Sequence, residues 1–327
     1  MTAIHYRDDA DHHAIEGATI AVIGYGNQGR SWALNLRDSG LDPCVCVRAD
    51  ASRDQATDEG FDTGELVDAN EADIICVLVP DDAMPALPLT PGPGALTIVA
   101  SGYALAFDQI DPAGDQAMIA PRMLGPEVRL CYDEDIGFIT ALGVHKDRTG
   151  TALARTLAVA DAIGGLHQGA IAMTPRQEAV LDLAVEQVLS PALTHVNNAF
   201  VQTMLANDIP IEAVVTELVL SGEIERSYRL LREVGFAVQL DYHSPTSQYG
   251  QLSRRGRFDH LDVRTPMDEL TADITSGRFA DEWRAESEAG HPQLGALREA
   301  HAGEPVKEFE AELRRRLGPR VLEAARD

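Results

Sequence analysis

Apolar positions along this chain fall into two textures. In the first half they form short continuous runs, at residues 18–23, 43–48, 74–80, 96–100, 118–121 and 136–142. Runs of that length without alternation suit strands covered on both faces. Amphipathic segments separate most of them, so strands alternate with helices, and the pattern predicts an α/β fold with a doubly wound parallel sheet. Such sheets bind ligands beyond the carboxyl ends of their strands. Those ends carry Gly24, Arg48, Pro80, Asp81, Ser101, Gly102 and Arg122. From about residue 174 the runs stop and helical periodicity takes over. Thr174 and Pro175 read as an N-cap with proline at the first helical position. A long helix then passes through Val180, Leu183 and Val188, and a second helical region covers about 211–233. Residues 1–16 read as a loose polar arm and 241–256 as a polar loop. The expected division is an α/β domain over residues 1–173 and an all-helical domain over 174–327.

The run at 18–23 leads into Gly24, Tyr25, Gly26, Asn27, Gln28 and Gly29, and an amphipathic segment with Trp32, Leu34 and Leu36 follows. Strand, glycine turn and helix in that order are the context that gives a GxGxxG spacing meaning. Gly24 permits the sharp turn, Gly26 lets a pyrophosphate approach the backbone, and Gly29 lets helix and strand pack closely. Free N–H groups and the helix dipole favour an anion there. The reading is a Rossmann-type dinucleotide-binding domain, with these six residues, Pro80, Asp81 and Gly102 as cofactor contacts. The second strand ends at Arg48 without the acidic residue that would bind a ribose hydroxyl, which favours NADPH over NADH. Arg48, Ser52 and Arg53 are placed to surround a 2′-phosphate, and Asp50 in the same loop speaks against it.

Charge narrows the choice of partner. The 327 residues carry a formal net charge of −25, with Lys146 and Lys307 the only lysines. Phosphate backbones would be repelled, so nucleic acid is excluded as a partner. No run approaches the length of a membrane span, and the first residues lack the apolar core of a secretory signal. The four cysteines form no CxxC pair. They read as reduced core or edge residues of a cytoplasmic protein. The expected ligand is a small-molecule substrate.

In the helical half, Asp182 and Glu186 stand four apart on one helix face. At this point the chain resembles the ketol-acid reductoisomerase family in its short form, with a single set of C-terminal helices. The resemblance runs over nearly the whole chain, through the glycine turn and the ALNLRDSG that follows, then Val79, Pro80 and Asp81. Ser101-Gly102 stands where the family has His-Gly, and Ala120-Pro121-Arg122 where it has Ala-Pro-Lys. Asp182, Glu186 and Glu217 follow. The run from Ser244 to Gly250 matches a family Ser-Asn-Thr-Ala-Glu-Tyr-Gly, and the last match is GRFADEW, ending at Trp283. Family members bind NADPH and two magnesium ions, move an alkyl group in a 2-hydroxy-2-keto acid and then reduce the product. The resemblance implies that Asp182 and Glu186 ligate one magnesium, that Asp182 bridges to the second, and that Glu217 ligates the second from a partner subunit. It implies a substrate contact for Ser244 and a homodimer with shared active sites.

The departures bear on the chemistry. Ser101 replaces a histidine, Arg122 a lysine, and Ser221 a second carboxylate on the helix of Glu217. Glu223 lies two positions off, on another face of a regular helix. Magnesium is usually held by one or two carboxylates plus water, so one ion can still be held by Asp182 and Glu186 while the second site is impaired. Alkyl migration requires a Lewis acid, whereas hydride transfer requires a positioned C=O or C=N bond and a proton donor. Arg122 stays charged, so it is not an acid; two readings stand side by side, a clamp for a substrate carboxylate and one half of a surface ion pair. Ser101 allows close approach of the nicotinamide. The resulting expectation is an NADPH-dependent reductase of a small acid-bearing substrate, an imine or a ketone, that has lost the migration step. Asp182, Glu186, Glu217, Ser101, Arg122 and Ser244 form its candidate catalytic set. The competing reading is an authentic magnesium-dependent ketol-acid reductoisomerase of branched-chain amino acid synthesis.

Overall fold

The computed structural model describes residues 2–301 and 304–317. The chain divides into two compact units, the first ending at Asp182 and the second beginning at Leu183.

The first unit is built on one nine-stranded sheet. In chain order its strands are β1 (Ile4–His5), β2 (Ile20–Ile23), β3 (Pro43–Cys46), β4 (Thr63–Gly64), β5 (Ile74–Val77), β6 (Leu96–Val99), β7 (Asp115–Pro121), β8 (Thr140–Lys146) and β9 (Ala170–Ala172). Across the sheet the order is β1-β9-β8-β7-β6-β5-β2-β3-β4. From β4 to β7 every pairing is parallel, in the order of a doubly wound dinucleotide fold. The alternation of side chains explains the unbroken apolar runs. Ile20, Val22, Ile74, Cys76, Leu96 and Ile98 feed one core, and Ala21, Ile23, Ile75, Val77 and Val99 feed a second on the opposite face. Helices α1 (Asn27–Asp38), α2 (Ala51–Asp58), α3 (Tyr103–Ala106), α4 (Gly125–Asp133) and α5 (Ala152–Ala162) connect the strands.

Two expectations for this unit are corrected. The first residues are not a loose arm: β1 pairs antiparallel with β9, and Ile15 is buried in the core. The run at 136–142 is a strand only from Thr140, because Gly137 takes a left-handed turn, and the strand continues through the polar His145 to Lys146. This β8 pairs antiparallel with β7 and parallel with β9, so the sheet is parallel-dominant.

Helix α6 (Pro175–Ala184) carries the chain out of the first unit. In the second unit a π turn (Val185–Leu189) leads into α7 (Ser190–Leu205), and α8 (Ile211–Val215) leads into a second π turn (Thr216–Leu220). Helix α9 (Glu223–Val234) follows Gly222, which is left-handed at φ 72°. Later come α10 (Phe236–Gln239), α11 (Pro245–Arg254), α12 (Arg264–Ser276), α13 (Arg278–Glu288), α14 (Pro292–His301) and α15 (Glu304–Leu317). The expected loop at 241–256 is mostly α11. Ser244 caps it by accepting from the Ser247 N–H at 3.3 Å, with Pro245 at the first helical position. Its Gly250 and serines weakened a helical signal that the cap restores.

Candidate cofactor and substrate site

The glycine turn separates two kinds of glycine. Gly24 has φ 96°, and a Cβ there would stand 2.7 Å from the Leu78 carbonyl oxygen. At Gly29 a Cβ would stand 2.0 Å from the oxygen of Gly24. Gly24 is demanded by the packing of the turn against the end of β5, and Gly29 by the packing of helix on turn. Gly26 is extended and exposed, and nothing lies within 4 Å of where its Cβ would be. Its lack of a side chain leaves the backbone open from outside, as a pyrophosphate requires. The Gly24 N–H donates to the Cys46 carbonyl at 3.2 Å, which ties the turn to the end of β3.

A cleft of about 440 Å³ opens beside this turn. Gly24, Tyr25, Gly26, Arg48, Asp50, Ser52 and Pro80 line it, as do Leu66, Leu78 and Leu87. It lies where β3 and β5 flank β2, at the carboxyl ends of the strands, and its residues fit a dinucleotide. Tyr25 is buried, and its hydroxyl donates to Glu59 at 2.7 Å. Burial first, and then the Glu59 carboxylate, hold its pKa well above the ordinary tyrosine value. Tyr25 therefore anchors the turn from beneath. Gln28 accepts from the Trp32 indole at 3.1 Å, and the Asn27 carbonyl accepts from Ser31. Arg48 is exposed and lies 3.6 Å from Asp50, which also caps α2 through the Ser52 N–H at 3.0 Å. Arg53 is drawn elsewhere. Its guanidinium donates to Glu65 at 2.8 Å and to the Val47 and Gly64 carbonyls. The structure thus gathers Arg48 and Ser52 at the cleft and commits Arg53 to holding the β3 and β4 ends together.

A second constellation forms at the ends of β6 and β7. Glu178 of α6 is almost wholly buried, at 1 % exposure. One of its carboxylate oxygens accepts from the Gly102 N–H at 2.6 Å, and the other from Arg122 Nη1 at 2.5 Å. Arg122 Nη2 donates to Asp182 at 2.9 Å. Gly102 makes this possible, since a Cβ there would meet the Pro175 carbonyl at 2.1 Å and Glu178 at 2.9 Å. Burial pushes the Glu178 carboxyl above the ordinary glutamate range, with Asp182 adding to the rise; the Gly102 N–H and Arg122 oppose it. Ser101 accepts from the Tyr103 N–H at 3.3 Å, at the start of α3. Sequence reasoning missed Glu178, although it lies one turn before Asp182 on the same helix. The signal was there: a glutamate beside Ala179 and Val180 on the apolar side of α6.

The remaining candidates belong to the second unit. Glu186 is exposed in the π turn after α6, and Glu217 is exposed in the second π turn. The apolar neighbours of Glu217 therefore do not bury it within one protomer. Ser221 donates to the Glu217 carbonyl and accepts from the Glu223 N–H, each at 3.2 Å, so it stitches the π turn to α9. The helix is not regular there, and the face argument that set Glu223 aside fails. Ser244 serves as the cap of α11. Among the described residues, no group of three or more His, Cys, Asp or Glu side chains is placed to hold a metal ion. Asp182 is engaged by Arg122, and the carboxylates that the resemblance assigns to magnesium are divided between the first unit, with Asp182, and the second, with Glu186 and Glu217. No helix of the described residues is long and apolar enough to cross a membrane.

Comparison with known proteins agrees with this architecture. Residues 14–169 match the family model described as acetohydroxy acid isomeroreductase, NADPH-binding domain. Residues 176–318 match the ketol-acid reductoisomerase C-terminal domain. The chain is 35 % identical to the ketol-acid reductoisomerase (NADP(+)) of Methanocaldococcus jannaschii, over 97 % of this chain and 99 % of that one. To the protein of the same name from Caldivirga maquilingensis it is 37 % identical, over 91 % and 93 %. Among solved structures, an NADH-preferring ketol-acid reductoisomerase from an uncultured archaeon superimposes with a TM-score of 0.87 at 28 % identity, covering 96 % of this chain and 98 % of that one. An N-terminal NADPH-binding unit is thus joined to the helical C-terminal domain of the same lineage, and the chain belongs to the ketol-acid reductoisomerase family of oxidoreductases.

Proposed function

We propose that this protein performs the reductive half of its family's chemistry, transferring hydride from NADPH to the C=O bond of a small acid-bearing substrate without the alkyl migration. The observation that carries this reading is the Arg122 guanidinium on Asp182. Arg122 offsets the charge of the carboxylate that the resemblance gives a bridging role, and Ser221 stands where a further carboxylate of the second ion would be, so the metal-dependent migration is left with a weakened Lewis acid. Reduction asks less: a bound carboxylate, a carbonyl held near the cofactor and a source of one proton. NADPH supplies the hydride when bound. The open backbone of Gly26 receives its pyrophosphate, Arg48 and Ser52 its 2′-phosphate, and Gly102 keeps the β6 end free of side chain. Arg122 holds the substrate's carboxylate, since a guanidinium cannot release a proton near neutral pH. Asp182 and Glu186 are the proton-handling candidates.

A second reading is the full ketol-acid reductoisomerase reaction. The names of the curated relatives at 35–37 % identity over nearly the full chain favour it, and they favour a carbonyl over an imine as the group reduced. On this reading Glu217, with Glu223 after the π turn, completes a metal site from the partner subunit of a homodimer.

One assay separates the two. NADPH oxidation is followed with 2-acetolactate and with its rearranged ketone, each with magnesium and with EDTA. Reduction of the rearranged ketone alone, insensitive to EDTA, is expected. Turnover of 2-acetolactate that EDTA abolishes would establish the second reading. Inactivity towards both would refute the two together.

A further inference from the structure

The Arg122 cluster has an inner half and an outer half that differ in burial. Inside, Glu178 is 1 % exposed and is held at both oxygens. Outside, Asp182 has a side chain 42 % exposed, and Arg122 itself is 30 % exposed. A buried carboxylate deprived of its partner is costly, whereas an exposed ion pair is held weakly and exchanges its partner easily. The guanidinium therefore has one fixed edge and one exchangeable edge.

We propose that Glu178 is a positioning residue that anchors Arg122 from below, and that the carboxylate of an acid substrate takes the place of Asp182 on the outer edge of Arg122. The proposal rests on the reductase reading above and adds to it the substrate's recognition group, a carboxylate that binds by displacement. The geometry supports both parts. Glu178 reaches from α6 to the Gly102 N–H, so the same side chain that orients Arg122 also fixes the strand end that faces the cofactor. Three elements, the β6 end, the β7 end and α6, are locked in one register by one carboxylate. A planar guanidinium with one edge fixed presents its other edge in a single direction, which is what bidentate recognition of a carboxylate requires. Asp182 then guards that edge until an acid arrives.

Displacement makes an unusual forecast: removing the Asp182 charge should tighten the binding of the anion that competes with it at that edge. The test is calorimetric titration of pyruvate, the simplest 2-keto acid, into full-length protein saturated with NADP+. Asp182→Asn should bind pyruvate at least threefold more tightly than wild type, because the competing carboxylate is gone. Glu178→Gln should bind it at least tenfold more weakly, because an amide cannot accept from both Gly102 and Arg122, while NADPH affinity changes less than threefold. Pyruvamide should bind wild type at least tenfold more weakly than pyruvate. Where Glu178→Gln fails to fold, the Asp182→Asn and pyruvamide arms decide. Weaker pyruvate binding by Asp182→Asn, equal binding of pyruvamide, or no pyruvate binding by wild type overturns the proposal. If these binding shifts occur and no 2-keto acid is reduced, the displacement stands and the reductase reading falls.

Discussion

At the residue scale, the three glycines of the turn make the sharpest division between folding and function. Gly29→Ala would drive a methyl into the Gly24 carbonyl at 2.0 Å, so the helix must move off the strand. A loss of about 3 kcal/mol or more is expected, as for other severe overpacking, read as a fall in urea midpoint. Gly26→Ala meets no atom of the protein. Its melting temperature should stay within about 2 °C of wild type, while NADPH affinity drops by about tenfold or more as the methyl occupies the approach to the pyrophosphate. Equal NADPH binding by Gly26→Ala would remove the turn from the cofactor site. The two arginines of the next loop divide in the same way. Arg48 is exposed at the cleft, and Arg48→Ala should weaken NADPH about tenfold, the worth of one charge-assisted hydrogen bond, without affecting NADH. Arg53→Ala should instead lower stability, because its guanidinium bridges Glu65 and two strand-end carbonyls. A larger effect of Arg53→Ala than of Arg48→Ala on NADPH binding would reverse the assignment. Spacing alone placed both arginines at the 2′-phosphate, because a sequence shows that a side chain is near a loop and not which way it turns. Glu178 was lost for a related reason. A single acid on a helix reads as surface until the Gly102 N–H and Arg122 are found at its two oxygens.

At the scale of elements, the strands were legible because burial on both faces writes an unbroken apolar run, as at 74–77 and 96–99. Legibility failed where a second signal overrode the pattern. Strand β8 runs on through polar His145 and Lys146 because its partner β7 is a long strand that supplies backbone hydrogen bonds regardless of side chain. The π turns before α7 and α9 leave no mark in apolar periodicity, yet they carry Glu186 and Glu217 and decide their directions. The start of β7 holds an ionic joint that the sequence also hid. Asp115 is fully buried and accepts from the Arg148 N–H, from the Thr149 N–H and hydroxyl, and from Arg155 of α5. Burial alone would raise its pKa, but these donors outweigh it and hold the carboxyl below the ordinary aspartate range. A depressed acid contributes stability that is present above the ordinary aspartate pKa and is lost as pH falls through its lowered value. Asp115→Asn should therefore cost about 3–5 kcal/mol at pH 7, the scale for removing one partner of a buried pair. The gap to wild type should narrow as urea titrations are taken below pH 4. A gap that stays constant with pH would mean the joint acts through shape and not charge.

At the scale of the whole molecule, the two units are unequally furnished with core. The sheet unit buries dozens of apolar side chains in two layers. Among the described residues of the second unit, the buried hydrophobics are Val188, Val214, Ile274, Ala280 and Leu313. Helix α7 shows the deficit most plainly. It is sixteen residues long and has no buried residue, while Leu193, Val196 and Phe200 are 43 %, 57 % and 41 % exposed. Apolar faces of that extent mark an interface. We propose that a second copy of the chain covers them, in a two-fold pairing where one surface meets itself, and that the shared face is large and apolar as obligate interfaces are. Light scattering at micromolar concentration should give twice the chain mass. The double substitution Val196→Asp, Phe200→Asp should split the dimer and with it the helical circular dichroism of the second unit, while NADPH still binds to the first. Because Glu186, one of the two proton-handling candidates, belongs to the second unit, reductase activity should disappear when that unit loses its fold. A wild-type monomer that turns over at full rate would show that the helical unit is complete alone and that its exposed apolar face serves something other than its own copy.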